Sequence, residues 1–265
     1  MRSTCRLNQP TFFRRYSRVS YFIAMLEHPA PDETLTPLCH GRLIFIQKKG
    51  AYRFSIDPIL LSNFVVLKKQ ERMLDIGTGC GIIPVYMSKR YPGNSITGVE
   101  IQKDLFELAK KNVLLNKCEN LHILHGDIKN VMTKIDRPFH VVVANPPYVK
   151  KQGGRKSPQR SRHMARYEYS LDLDSLFTVS ARLLYTKGRL YLIYPVKRLA
   201  ELASVASAHR IEPRRLRLVH PRAGEPANLF LIECMKGGGT ELKVEPPLYI
   251  YEDREYSNEV ASYYA

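Results

Sequence analysis

The chain has 265 residues, 44% of them hydrophobic, and carries 41 Lys and Arg against 25 Asp and Glu, a formal charge of +16. That length and apolar content fit a globular protein with a full core, as one large domain or two small ones. No apolar run reaches the roughly 18 residues of a membrane-spanning helix; the positive excess favours a polyanionic partner such as nucleic acid or an anionic membrane, or serves solubility alone.

The first 24 residues hold Arg2, Arg6, Arg14, Arg15 and Arg18 and no acid. The apolar stretch that follows is too short for a signal peptide. Residues 1–31 therefore read as a disordered basic arm, or as the product of a start assigned ahead of Met25. Residues 32–69 are expected to form a small hairpin and helix. Leu43 to Gln47 is β-prone, Lys48-Lys49-Gly50 reads as a turn, and Ala51 to Ile56 as the returning strand. Asp57-Pro58 then looks like a helix start, with Asp57 as cap and Pro58 at the first helical position.

From Arg72 the pattern alternates. Strands are predicted at Met73 to Ile76, Ser95 to Val99, Leu121 to Leu124, Phe139 to Ala144 and Arg189 to Tyr194. Helices are predicted at Ile82 to Arg90, Lys103 to Leu115, Ile128 to Lys134, Ser175 to Leu184 and Val196 to Ala208. Such alternation implies a parallel α/β sheet covered on both faces. Pro213 to His220 and Asn228 to Met235 are linked by a turn-like segment and are expected to be antiparallel to each other. This main domain spans 70–238. Gly237-Gly238-Gly239 marks the end of the sheet and a flexible start to an acidic tail, 239–265.

Five scattered cysteines, Cys5, Cys39, Cys80, Cys118 and Cys234, include no C-x-x-C pair. Neither a metal site nor a disulfide framework is expected, and a reducing cytoplasm fits best.

Two motifs carry the chemistry. The first is Asp75-Ile76-Gly77-Thr78-Gly79-Cys80-Gly81, at the C-terminal end of the first parallel strand, where ligands of open α/β sheets lie. Glycines 77, 79 and 81 permit positive φ and close approach of a ligand to backbone. The next helix offers free N–H groups. Glu100 stands roughly 20 residues past Gly79, the spacing of an acid that binds ribose hydroxyls. The glycine spacing differs from the dinucleotide G-x-G-x-x-G, and Asp75 would repel a pyrophosphate but pair with an ammonium. S-adenosylmethionine carries an ammonium and no phosphate. Asp127 is placed to accept from the adenine amine, or to cap the helix after it.

The second motif, Asn145-Pro146-Pro147-Tyr148, follows the fourth strand. The Asn145 side-chain oxygen and the Pro146 carbonyl could hold two N–H protons of a planar amine and aim its lone pair at a methyl group, while Tyr148 stacks on the ring. Catalysis would then be positioning plus electrostatics. Immediately beyond lies an acid-free basic loop with Lys150, Lys151, Arg155, Lys156, Arg160, Arg162 and Arg166, suited to gripping phosphates. The arginines from Arg210 to Arg222 could extend that surface, or could be a solvated strand edge guarded by charge.

With these residues the chain resembles the class I S-adenosylmethionine-dependent N-methyltransferases of the Asn-Pro-Pro-Tyr group, and more closely the bacterial tRNA1(Val) adenine-N6 methyltransferases, which modify A37. Tyr52 to Asp57, Ala165-Arg166-Tyr167-Glu168 and Pro247-Leu248-Tyr249-Ile250-Tyr251 add to the likeness. The resemblance covers roughly Asp32 to Tyr256. It implies a Rossmann-like seven-stranded sheet whose last strand is antiparallel, preceded by the small N-terminal extension. It also implies a segment from Phe54 to Asp57 closing over the cofactor. S-adenosyl-L-methionine would lie on Asp75, Gly77, Gly79, Gly81, Glu100, Asp127 and Asn145; Asn145, Pro146 and Tyr148 would be catalytic. The implied partner is a tRNA anticodon loop, gripped by the basic loop; a membrane and a metal are not expected, and the protein is expected to be a monomer.

Other readings compatible with the motifs are methylation of a glutamine amide, of rRNA or DNA amino groups, or RNA binding without catalysis.

Overall fold

The computed structural model describes residues 29–49, 55–135, 138–146 and 172–265. A hairpin of β1 (Glu33–Leu38) and β2 (Leu43–Lys48) comes first, then α1 (Asp57–Phe64). The main sheet is built from β3 (Arg72–Ile76), β4 (Ser95–Glu100), β5 (Leu121–His125), β6 (Phe139–Ala144), β7 (Leu184–Pro195), β8 (Ile211–His220) and β9 (Leu229–Lys236). Its helices are α2 (Ile82–Arg90), α3 (Lys103–Leu115), α4 (Ile128–Val131), α5 (Leu173–Leu183) and α6 (Leu199–Ala208). Short strands β10 (Lys243–Val244), β11 (Leu248–Tyr249), β12 (Tyr251–Glu252) and β13 (Glu255–Tyr256) and the helix α7 (Asn258–Ser262) follow.

The strand order is β10-β8-β9-β7-β6-β3-β4-β5, with β11 also on β8. Strands β3 to β7 pair in parallel, and β9 is antiparallel to both β7 and β8. The seven-stranded plan expected from the sequence is therefore present, lengthened at one edge by two short strands. Side chains alternate strictly between two cores. Met73, Val141, Val143, Tyr191 and Ile193 point to the α1/α2 face, while Leu74, Val142, Leu190, Leu192 and Tyr194 point to the α5/α6 face. A sheet buried on both faces selects apolar residues at successive positions, which is why these strands read as near-continuous hydrophobic runs.

The hairpin departs from expectation. The partner of β2 is β1, which precedes it, and the turn is Cys39–Arg42. Of the expected turn Lys48-Lys49-Gly50, Lys48 closes β2, Lys49 does lie in a turn and Gly50 falls outside the described residues; the turn that joins β1 to β2 uses the non-glycine residues Cys39 and His40 at φ 51° and 52° before Gly41. No turn signature marks those two residues. Ser55 and Ile56 are not in a strand, and residues 51–54 lie outside the described set. Helix α1 is capped by Ile56, with Asp57 as its first residue. The predicted helix Ile128 to Lys134 stops at Val131, and Val196 to Ala208 divides into a 3-10 turn, Val196–Arg198, and α6.

The hairpin is held by α3. Ile44 N–H donates to Asn116 Oδ1 at 3.0 Å and Ile46 N–H to Asn112 Oδ1 at 2.7 Å. Two asparagines one turn apart thus substitute for a third strand along the free edge of β2.

The segment after Gly239 is not a free tail. Strands β10 and β11 run parallel to β8, and its acids pair with the β8 arginines. Arg215 meets Glu233 and Glu245, each at 3.1 Å, donates to Phe64 O at 2.8 Å and stacks on the Phe64 ring. Arg217 forms a two-point pair with Glu259 at 2.6 and 2.7 Å. Arg214 donates to Gly239 O, and Arg222 to Asp253 O and Glu225. These four cations fasten the C-terminal segment to the sheet.

Candidate active site

Strand β3 ends at Ile76, whose register partners are Val99 on β4 and Ala144 on β6. Three successive strand ends therefore deliver the glycine loop, Glu100 and Asn145-Pro146 to one edge. Neighbouring strands are about 4.8 Å apart, so the loop lies between the acid and the amide.

The loop folds on itself by backbone bonds. Gly77 N–H and Thr78 N–H both donate to Val99 O, at 2.9 and 3.0 Å, and Gly81 N–H donates to Thr78 O at 3.0 Å. Gly77, Gly79 and Gly81 all have positive φ, 74°, 58° and 88°. A Cβ added at Gly79 would meet nothing within 4 Å, so its face of the loop is open; one added at Gly81 would press on Ala109 Cβ at 3.3 Å. Gly79 is thus free for a ligand to approach, and Gly81 for helix α3 to approach.

Glu100 is 1% exposed. Its Oε2 accepts Gly79 N–H and its Oε1 accepts Gln102 N–H, each at 2.8 Å. The acid expected to hold ribose hydroxyls also fixes the loop's curvature, a role its spacing did not predict. Burial pushes its carboxyl up, against the pull of these amide bonds.

Asp75 is equally buried, and among the described residues neither carboxylate oxygen nor the Thr78 hydroxyl makes a hydrogen bond of good geometry, although the Thr78 hydroxyl is near enough to pull the carboxyl down against its burial. Burial pushes the Asp75 carboxyl up to about 7, and the charge of Glu100 adds to the push. A buried acid without a donor is unfavourable unless a ligand supplies one. An ammonium arriving in the loop would do so. The residues present therefore fit a ligand with a cationic group against Asp75 and bare contact on Gly79. Thr78 belongs to this set and was not singled out in the sequence, since a threonine between glycines carries no spacing signal of its own.

Asp127 does cap α4, its Oδ1 accepting Lys129 N–H at 2.9 Å. Asn145 is half-buried and Pro146 buried directly beyond β6. Tyr148 and the basic residues Lys150, Lys151, Arg155, Lys156, Arg160, Arg162 and Arg166 lie outside the described residues. Among the described residues no cluster of three His, Cys, Asp or Glu could hold a metal ion, and no helix is long and apolar enough to cross a membrane.

The family model of the methyltransferase small domain matches residues 55–199. A tRNA1(Val) (adenine(37)-N6)-methyltransferase of Tolumonas auensis is 29% identical over 188 residues, 70% of this chain and 77% of the relative. One of the same name from Porphyromonas gingivalis is 34% identical over 150 residues, 55% of this chain and 58% of the relative. Among solved structures, an Agrobacterium tumefaciens protein described as a predicted O-methyltransferase superposes with a TM-score of 0.64 at 22% identity, covering 78% of this chain and 94% of that one. The M. jannaschii TYW2 structure in complex with AdoMet gives 0.52 at 15% identity, covering 78% and 87%.

Proposed function

The chain belongs to the methyltransferase small domain family, and we propose that it transfers a methyl group from S-adenosyl-L-methionine to the N6 amine of an adenine in tRNA, with A37 of tRNA1(Val) as the target. The observation that carries this reading is the Ile76–Ala144 register, which sets the glycine loop beside Asn145. The names of the curated relatives support the substrate.

Bound S-adenosylmethionine supplies an electrophilic methyl on a sulfonium. Asp75 would hold its ammonium, Glu100 its ribose hydroxyls, and Gly77, Gly79 and Gly81 the close backbone contact, with Asp127 toward the adenine. The target adenine amine is a weak nucleophile because its lone pair is delocalised. The Asn145 side-chain oxygen and Pro146 carbonyl accept hydrogen bonds from its two N–H groups, favour a more tetrahedral nitrogen and aim the lone pair. Tyr148 stacks on the base. Once methylated, the nitrogen loses a proton readily to solvent, so no buried base is required. Lys150, Lys151, Arg155, Lys156, Arg160, Arg162 and Arg166 grip phosphates of a splayed anticodon loop, where stacking and basic grooves hold single-stranded bases. The protein acts as a monomer, with the hairpin and helix of 32–69, the methyltransferase unit of 70–238 and the segment 239–265 as its parts.

Transfer of labelled methyl to unmodified bulk tRNA, followed by nucleoside analysis, tests the reading. N6-methyladenosine that disappears with Asn145→Ala is expected; label in a protein glutamine or in rRNA instead overturns the substrate.

A further inference from the structure

We infer that Asn112 is a positioning residue for the glycine loop, which ties the cofactor site to the docked N-terminal hairpin; this rests on the methyltransferase reading. Asn112 lies on α3 with no exposed surface. Its Oδ1 accepts Ile46 N–H at 2.7 Å, and its Nδ2 donates to Ile46 O at 3.2 Å and to Cys80 O at 2.8 Å. One side chain therefore grips both the hairpin and the loop.

Asn116 provides the contrast. It holds Ile44 in the same two-point manner, accepting from N–H at 3.0 Å and donating to O at 2.8 Å. Its second donor bond goes to Asn112 O, within its own helix. A helix advances about 6 Å in four residues, and a strand about 6.8 Å in two. The pair Asn112 and Asn116 therefore matches Ile46 and Ile44, and both serve docking. Only Asn112 reaches the loop.

At the loop, Gly79 N–H is held by Glu100 and Cys80 C=O by Asn112, while Ala109 lies against Gly81. The arc Gly79–Cys80–Gly81 is fixed from β4 on one side and α3 on the other. Anything that loosens Ile46 releases the amide that holds Cys80, and anything that orders the loop tightens Ile46. Coupling of this kind is reciprocal.

Binding of S-adenosylmethionine by calorimetry separates the possibilities. Asn112→Ala is expected to weaken binding about tenfold, within the usual range of coupling between sites. Asn116→Ala, which removes the Ile44 bonds and leaves those of Asn112 to Ile46 and Cys80 in place, is expected to bind within about twofold of the parent chain. Equal weakening by both substitutions would assign the effect to hairpin docking as a whole and overturn the proposal, as would unchanged binding by Asn112→Ala. A parent chain that does not bind S-adenosylmethionine overturns the methyltransferase reading along with it. Amide exchange on the unsubstituted protein needs no variant to fold. Saturating S-adenosylmethionine should slow exchange of the Ile46 amide and leave that of Ile44 unchanged. Equal slowing of the two, or none, would sink the clamp.

Discussion

Ile76 and Ala144 sit opposite one another as the last residues of two adjacent parallel strands. The next residue on one strand is Gly77, and on the other Asn145. Two motifs almost seventy residues apart in sequence become neighbours through pairing alone, with the apolar strands supplying the register. Asn145→Ala removes an acceptor without disturbing that register. Methyl transfer is expected to fall by about 10²-fold or more, the usual cost of losing one oriented hydrogen-bonding group. The thermal midpoint should stay within a few degrees of the parent. A variant that keeps its methylation rate in single-turnover assays would remove Asn145 from the chemistry.

Glu100 spends one lone pair on Gly79 and one on Gln102. Glu100→Gln turns one acceptor into a donor that faces an N–H. Bonds to a charged acceptor are worth about 1.5–3 kcal/mol, so we expect a stability loss near 2 kcal/mol by denaturant unfolding. Affinity for S-adenosylmethionine should drop more than tenfold, because the loop and the ribose lose their anchor together.

Asp75 titrates within the working range. Its carboxyl, held up to about 7 by burial and by Glu100, keeps a proton in the ligand-free fold that the unfolded chain releases near the ordinary carboxylate value. Stability from this group is full at pH below about 4, declines as pH rises to about 7, and is level above that. Asp75→Asn should therefore gain on the order of 1–3 kcal/mol over the parent at pH 8 and little at pH 4. Cofactor binding runs the opposite way, since the ammonium pairs with the charged form. We expect affinity to rise about tenfold from pH 6 to pH 8. Calorimetry across that range checks it, and a flat profile would separate Asp75 from the ammonium.

The acids that face the β8 arginines divide by burial: Glu233 and Glu245 are largely covered, Glu259 is half-exposed. Arg215→Ala strands Glu233 and Glu245 and removes the donor to Phe64 O. About 3 kcal/mol of destabilisation is expected, the range for a broken buried pair. Arg217→Ala frees a half-exposed Glu259 and should cost about 1 kcal/mol or less. Neither should alter the salt dependence of tRNA binding, which reports phosphates neutralised. A reduced slope for Arg217→Ala would return that residue to the RNA surface.

Legibility followed the range of the interactions. The run Phe139–Ala144 and the helix Lys103–Leu115 have the predicted bounds, because burial on two faces or one writes itself into consecutive residues. Asp75, Glu100 and Asn145 could be placed at one sheet edge for the same reason. The pairing of β1 with β2 was not foreseen because its turn rests on Cys39 and His40 in a left-handed conformation, which residue type does not announce. The second duty of Glu100, the bond from Asn112 to Cys80 and the pairing of Arg217 with Glu259 each join side chain to distant partner. An amide or a guanidinium carries no mark of which carbonyl or carboxylate will meet it.

The pairs that fasten the last sheet edge join residues far apart in the chain. Glu245 and Glu259 follow Arg215 and Arg217 by 30 and 42 residues. Synthesis from the N-terminus therefore presents the cations well before their anions. The strands that carry the glycine loop and Asn145 all precede β8 in the chain and are separated from it in the sheet by β9 and β7, so the seam closes an edge remote from the site. Charge on an exposed strand edge discourages pairing with other chains; here acids from beyond Gly239 take up that charge and turn the edge into a seam.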